Sequence, residues 1–206
     1  MTSNSTFNRI MGLDPYESGH LPVVLNYLYL LAMMAVIAAI LTAAMVMQYA
    51  MGELPCSLCL LQRPAMIGVC FGILLQFRHG FSYQYTGVSL LFTVLLLIVS
   101  VRQTLINIYP RPGHAFPGSA IFGLHLPVWS VVIAVALLIA FAVQLAVLGG
   151  KDIQGARVSH YPLISKIAQA LSFYVILVAL INFVSVVLQC GFGACYTTGY
   201  ALLNWM

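Results

Sequence analysis

The chain has 206 residues, of which 62% are hydrophobic and only 6% are charged. This composition excludes an ordinary soluble domain and is typical of a protein built from membrane-spanning helices. The formal net charge of +4 comes from scattered residues rather than from a basic run, so we predict no nucleic-acid partner.

Five apolar stretches are each long enough to cross the roughly 30 Å hydrocarbon core of a bilayer. In chain order we predict helices over Val23–Gln48, Leu58–Phe77, Thr86–Ile106, Leu126–Leu148 and Ile167–Gln189. Arg63 and Pro64 lie near the start of the second stretch, and proline is tolerated in a first helical turn because the N–H groups there have no helical partner. We therefore predict an all-α integral membrane fold, with the lipid bilayer as its first partner.

The distribution of basic residues predicts the orientation, because lysine and arginine gather in cytoplasmic loops. If the N-terminus is inside, the cytoplasmic segments carry Arg9, Arg78, Lys151, Arg157 and Lys166, and the outer side carries Arg63, Arg102 and Arg111. Two of the outer three lie within helix ends rather than loops. We therefore predict a cytoplasmic N-terminus, and five spans then place the C-terminus outside.

Cys56 and Cys59 form a Cys-x-x-Cys pair at the outer end of the second helix. Thiols at this spacing can form a disulfide or open to a dithiol, and the dipole at a helix start favours the thiolate. Arg63 follows Cys59 by one helical turn and shares its face. We interpret the pair as redox-active, because so short a loop restrains the unfolded chain little. A structural disulfide, idle thiols and a four-cysteine zinc site are alternatives, the last disfavoured in an oxidising compartment.

Cys190 and Cys195 follow the fifth helix, and the predicted topology brings them to the same side as Cys56 and Cys59. That co-location follows from hydropathy and basic residues alone. Disulfides persist outside the cytoplasm, and the two glycines between the later cysteines give a mobile loop. We interpret this second pair as a shuttle disulfide between a soluble donor and the first pair, with a structural clip as the alternative.

Three other features of the spans bear on function. Cys70, about three turns inside the second helix, is interpreted as a small core residue. Arg102, near the outer end of the third helix, is a functional candidate because charges within spans are costly, although snorkelling to the interface is an alternative for it and for Arg63.

The acidic residues, all outside or at the ends of the spans, are Asp14, Glu17, Glu53 and Asp152. Their placement argues against a proton or cation transporter.

Several of these segments resemble the DsbB family of membrane disulfide-generating proteins. The likeness is carried by Gln48-Tyr49, by Pro55-Cys56-Ser57-Leu58-Cys59 with Gln62-Arg63, by Ile108-Tyr109-Pro110 and by Gly123-Leu124-His125-Leu126-Pro127-Val128-Trp129. The resemblance implies a four-helix bundle in a bacterial inner membrane that binds a quinone, ubiquinone or menaquinone, near its outer surface. It also implies a periplasmic thioredoxin-fold oxidant (DsbA-like) as the partner that is reoxidised.

The resemblance further implies roles for three residues. Cys56 would exchange disulfides with a second cysteine pair, and Cys59 would interact with the quinone ring. Arg63 would stabilise the thiolate and the reduced quinone. We also predict that Gln62 and Arg102 join Arg63 in binding the cofactor. The first disulfide would be Cys56–Cys59.

One departure from the family is evident in the sequence. Family members carry their second cysteine pair between the third and fourth spans, but that loop, Asn107–His125 here, has no cysteine. We predict that a Cys190–Cys195 disulfide on an added fifth helix replaces it. The predicted divisions are 1–22 (cytoplasmic), 23–148 (four-helix bundle), 149–166 (cytoplasmic loop) and 167–206 (fifth helix and outer tail).

Two other functions stay open at this point. The chain could be a non-catalytic assembly subunit whose disulfides are structural. It could also be a quinone-dependent reductase of the vitamin K epoxide reductase type, although the Cys-x-x-Cys of those proteins lies late in their core and this one follows the first span.

Overall fold

The computed structural model describes residues 20–50, 52, 57–108, 120–121, 123–149 and 161–191. Its long helices are α1 (His20–Ala50), α2 (Ser57–His79), α3 (Tyr83–Ile108), α4 (Leu126–Val143) and α5 (Pro162–Cys190). A π-helical turn, Gln144–Leu148, continues α4. A hairpin of two-residue strands, β1 (Ala120–Ile121) and β2 (Leu124–His125), leads into α4. Within the described residues, five helices are long and apolar enough to cross a membrane, which confirms the predicted all-α membrane fold.

α1 has one buried stripe and one outward apolar face. Its fully buried apolar side chains recur at intervals of three and four residues, which is the spacing of one helical face. They are Tyr27, Leu30, Met34, Ile37 and Leu41. Helices of this fold are apolar on their outer faces as well, as Phe173 and Phe183 of α5 show with exposed fractions of 71% and 68%. An exposed surface of this kind is the one that lipid covers.

The polar contacts between helices define their directions. Gln76 at one end of α2 donates to Thr86 Oγ1 near the start of α3 (3.2 Å), whereas Gln62 at the other end donates to Ser100 Oγ near the end of α3 (3.3 Å). These two helices are therefore antiparallel, as expected for consecutive spans.

α5 runs parallel to α1. Thr42 of α1 hydrogen-bonds to Tyr174 (2.6 Å), and Tyr49, two turns later in α1, hydrogen-bonds to Ser185, which is also later in α5. The C-terminal end of α5 thus lies at the same end of the bundle as the C-terminal end of α1 and the start of α2. This is the arrangement that five alternating spans require.

Pro64 lies inside α2, which begins at Ser57 and continues through the proline. The expectation that Pro64 occupies the first turn is therefore wrong. A proline within a helix removes one backbone N–H and frees the carbonyl of the residue four positions earlier, here Leu60. Membrane helices tolerate this because neighbouring groups can satisfy the freed carbonyl.

α2 and α3 approach closely at two glycines. Gly68 and Gly72 are spaced as Gly-x-x-x-Gly, a pattern that lets helix backbones come together in membranes. A Cβ built at Gly72 would lie 2.2 Å from Ser89 Oγ and 2.8 Å from the backbone oxygen of Tyr85. Ser89 Oγ itself donates to the Val69 carbonyl of α2 (3.1 Å). Position 72 therefore has no room for a side chain unless the helices separate.

We expect Gly72→Ala to destabilise the protein by about 1–3 kcal/mol, because the added methyl group overpacks this contact. Gly87→Ala on α3 is the matched control, since a Cβ there meets nothing within 4 Å. Alanine should improve its helix by up to about 1 kcal/mol. Unfolding by SDS titration in mixed micelles, followed by circular dichroism, measures both. Equal stability of the two variants would contradict the close approach of α2 and α3.

Candidate functional site

Cys59 lies in the first turn of α2, as predicted, and is disulfide-bonded. Cys56, its predicted partner, lies outside the described residues. The side-chain amide of Gln103, from the C-terminal end of α3, donates a hydrogen bond to Cys59 Sγ at 3.1 Å. The sulfur of this disulfide therefore has a donor beside it, in addition to the partial positive charge of the helix N-terminus.

The Gln103 side chain belongs to a buried polar cluster, which we call the Gln62 cluster. Its members come from α2, α3 and α4 and are each at most 8% exposed: Gln62, Ser100, Gln103 and Ser130. Gln62 Nε2 donates to Gln103 Oε1 at 2.7 Å and to Ser130 Oγ at 3.1 Å. Ser130 Oγ in turn donates to the Pro127 carbonyl at 2.7 Å.

This chain of hydrogen bonds fixes the orientation of both amides. The hydroxyl hydrogen of Ser130 goes to a carbonyl, so its oxygen accepts and Gln62 must present its nitrogen. Gln103 must then present its oxygen to Gln62, which turns its nitrogen toward Cys59. The cluster thus ends in an N–H donor at the sulfur.

Arg63 extends away from that cluster, toward α1 and α5. It is only 7% exposed, so it does not snorkel to a surface. Its Nη1 donates to Gln48 Oε1 (2.6 Å) and Asn182 Oδ1 (3.2 Å), and its Nη2 donates to the Ala44 carbonyl (3.2 Å). We call Arg63, Gln48 and Asn182 the Arg63 cluster. All three of these acceptors are uncharged.

Asn182 is the contribution of α5 to the Arg63 cluster. Its Nδ2 donates to the Val178 carbonyl (2.8 Å) and to Met45 Sδ (3.2 Å), which leaves Oδ1 directed at the guanidinium. Ser185 and Gln189 follow it on the same face and are also buried. This polar face leads to Cys190, which is 8% exposed and disulfide-bonded. The end of α5 that carries Cys190 therefore lies at the end of the bundle that carries Cys59.

The other predicted site residues divide into those that are placed and those that are not. Cys195, the predicted partner of Cys190, lies outside the described residues. Arg102 is exposed on α3, while its neighbour Gln103 points into the Gln62 cluster. A cofactor-binding role for Arg102 stays a prediction that none of these contacts tests. Cys70 is a free thiol within the hydrophobic core, as predicted.

Several residues of the two clusters were missed by the sequence analysis. Gln103 and Asn182 are the important ones, and each lies in an apolar helix beside other polar residues at helical spacing. Ser100, Gln103 and Thr104 share one face of α3, and Asn182, Ser185 and Gln189 share one face of α5. Buried polar residues repeating at intervals of three or four within a span are a usable signal for an interior site.

The structure thus defines a five-helix membrane protein in which a disulfide-bonded cysteine starts a helix beside two buried polar clusters. The protein-family model for the disulfide bond formation protein DsbB matches residues 26–144. This is more than half of the chain, and the protein belongs to the DsbB family, a family of membrane oxidoreductases in disulfide bond formation. The match ends where α4 passes into its π-helical turn, so α5 lies outside it. No curated protein and no solved structure matches the chain significantly.

Proposed function

We propose that this protein is a thiol:quinone oxidoreductase that reoxidises a periplasmic DsbA-like dithiol and passes its electrons to ubiquinone or menaquinone. The observation that carries the proposal is the surroundings of Cys59: a hydrogen bond from Gln103 to its sulfur, and a buried arginine one turn further along the same helix. A hydrogen-bond donor at a sulfur favours its thiolate, which is the form that transfers electrons.

The proposed cycle begins with two disulfide exchanges. A donor thiolate attacks the Cys190–Cys195 disulfide, and the second donor thiol resolves the mixed disulfide, which leaves the pair reduced. One of these two sulfurs then attacks Cys56 Sγ as a thiolate. The bond between Cys56 and Cys59 breaks, and its electron pair goes to Cys59 Sγ. Attack by the other sulfur of the second pair restores the Cys190–Cys195 disulfide and leaves Cys56 and Cys59 reduced.

The donor set near Cys59 fits a quinone. When bound, a quinone supplies the oxidising power, taking two electrons and two protons as the disulfide re-forms. Quinone carbonyl oxygens only accept hydrogen bonds, and the guanidinium of Arg63 and the amide of Gln48 carry N–H groups, whereas the two N–H groups of Gln62 already donate within its own cluster. The part of the chain that the structure describes contains no aspartate or glutamate, so no carboxylate from that part opposes negative charge here. We infer that Arg63 holds the quinone, and cofactor binding by Gln62 and by Arg102 stays a prediction from the sequence.

An acceptor of this kind is required by energetics. A DsbA-type donor has a reduction potential of about −120 mV, so the acceptor must lie above it, and every 30 mV is about 1.4 kcal/mol for two electrons. Few protein disulfides alone hold such a potential. A membrane-soluble acceptor beside Cys59 would keep both disulfides oxidised.

We expect purified protein to consume a soluble quinone when a reduced thioredoxin-fold donor is present. Quinone absorbance under anaerobic conditions measures the rate, and Cys190→Ser/Cys195→Ser is the variant that tests the shuttle. We expect the variant to lose at least about 100-fold in donor-dependent turnover, because the donor then has no disulfide to attack before Cys56–Cys59.

Two results would contradict parts of this proposal. Equal turnover in the wild type and the variant would keep the oxidoreductase and reject the shuttle. A folded wild-type protein without turnover would reject the oxidoreductase and favour a non-catalytic subunit with structural disulfides.

A further inference from the structure

We propose that Gln103 is a catalytic residue whose side-chain amide stabilises the thiolate of Cys59 and makes its disulfide more oxidising. The inference rests on the proposed function in one respect, which is that Cys59 is the sulfur that receives the electron pair. It goes beyond that function because it assigns the redox potential of the disulfide to one uncharged side chain of α3.

The hydrogen bond is well placed for this role. Gln103 is 3% exposed, and its Nε2 lies 3.1 Å from Cys59 Sγ. Its orientation is not free to change, because Gln62 donates to its Oε1 at 2.7 Å. Gln62 is itself held by Ser130. Gln62 is thus a positioning residue for Gln103, and the N–H donor is in place before any thiolate forms.

The same hydrogen bond differs in strength between the two redox states. A sulfur in a disulfide is a weak, neutral acceptor, whereas a thiolate is a charged acceptor, and hydrogen bonds to charged groups are about twice as strong. The bond therefore favours the reduced state over the oxidised one. Disulfides whose reduced form is stabilised in this way are the stronger oxidants. Partial burial of the hydrogen bond increases the effect, because fewer water molecules compete for the thiolate.

An amide suits this position better than a titratable donor would. When the bond between Cys56 and Cys59 breaks, its electron pair goes to Cys59 Sγ and no proton accompanies it. A lysine or histidinium at position 103 could give its proton to the sulfur and quench it as a thiol. The amide of Gln103 cannot, so it stabilises the anion and leaves it available as the electron donor.

The test is the redox equilibrium of the full-length protein in detergent against glutathione buffers. The fraction of Cys59 that is reduced is trapped by alkylation and read by mass spectrometry. We expect Gln103→Leu to shift the equilibrium constant about tenfold toward the disulfide, which is about 30 mV more negative. Gln103→Glu should shift it further, because a carboxylate repels the thiolate.

Two further variants make the result decisive. Gln76→Leu is the matched control, since Gln76 is also a buried glutamine but lies at the other end of α2, where it donates to Thr86. It should leave the equilibrium of Cys59 unchanged. Gln103→Asn keeps an amide in the cluster but withdraws the donor by one methylene, so it should shift the equilibrium in the same direction even if the leucine variant does not fold.

The measurement separates this inference from the proposed function because it uses neither quinone nor protein donor. An unchanged equilibrium in folded Gln103→Leu or Gln103→Asn would overturn the role of Gln103, whether or not the protein reduces quinone. A tenfold shift specific to position 103 would support that role even in a protein found inactive toward quinone.

Discussion

Replacing Cys59 by serine is expected to abolish donor-dependent quinone reduction and to leave the protein folded. A serine hydroxyl cannot form a disulfide or accept the electron pair from one, so the proposed cycle has no path past Cys56. We expect a loss of about 1000-fold or more, the scale seen when an enzyme loses its covalent catalytic group. The anaerobic quinone assay with purified variant measures it.

The folded state should change little in this variant. If Cys59 is bonded to Cys56, the disulfide closes a loop of four residues, and loop closure of that size contributes about 2 kcal/mol. Packing of the helices against one another contributes far more than this, and Cys59 lies at the end of the bundle rather than in its core. An SDS titration should therefore give a transition similar to that of the wild type.

Cys70→Ser is the matched control on the same helix. Cys70 is fully buried in the hydrophobic core, so serine there should reduce stability by about 1–3 kcal/mol and leave turnover intact. Cys59→Ser should thus lose turnover and keep its stability, whereas Cys70→Ser should lose stability and keep its turnover. If Cys59→Ser unfolds the protein while Cys70→Ser does not, the disulfide is a structural staple, and the catalytic interpretation of Cys59 is wrong.

Hydropathy predicted the helices because membrane insertion depends on a sum over about 20 neighbouring residues, which a single sequence contains. The position of Cys59 in a first turn followed from the same sum. The sequence also predicted that the Cys190 end of α5 lies on the same side as Cys59. This prediction depends only on whether the number of spans is odd or even. None of these predictions required knowledge of which helices are neighbours.

The faces of the helices could not be predicted in this way. Arg102 and Gln103 are adjacent, and their directions differ by about 100° around α3. Which of them points inward depends on where α2 and α4 pack, and charge alone favoured Arg102 as the site residue. The contact between Asn182 and Arg63 joins residues far apart in the chain, so only the packing of α5 on α1 and α2 reveals it.

Arg63→Lys is expected to lower kcat/KM for quinone about 10- to 100-fold. Lysine keeps the charge, but its single nitrogen cannot serve Gln48, Asn182 and the Ala44 carbonyl together as the guanidinium does. The loss of one hydrogen bond from a charged group costs about 1.5–3 kcal/mol. Arg78→Lys, on the exposed other end of α2, is the matched control and should leave turnover unchanged.

The variant Asn182→Leu tests whether α5 contributes to the effect of Arg63 on kcat/KM for quinone. It removes one acceptor of Arg63 and leaves the arginine in place. We expect a smaller fall in kcat/KM, about tenfold, expressed mainly as a higher KM for quinone. Thr42→Val removes another polar contact between α1 and α5, the one to Tyr174, without touching Arg63. Equal losses in the two variants would mean that α5 acts only by general docking. A loss confined to Asn182→Leu would make the added helix part of the quinone site, holding the arginine that the rest of the bundle supplies.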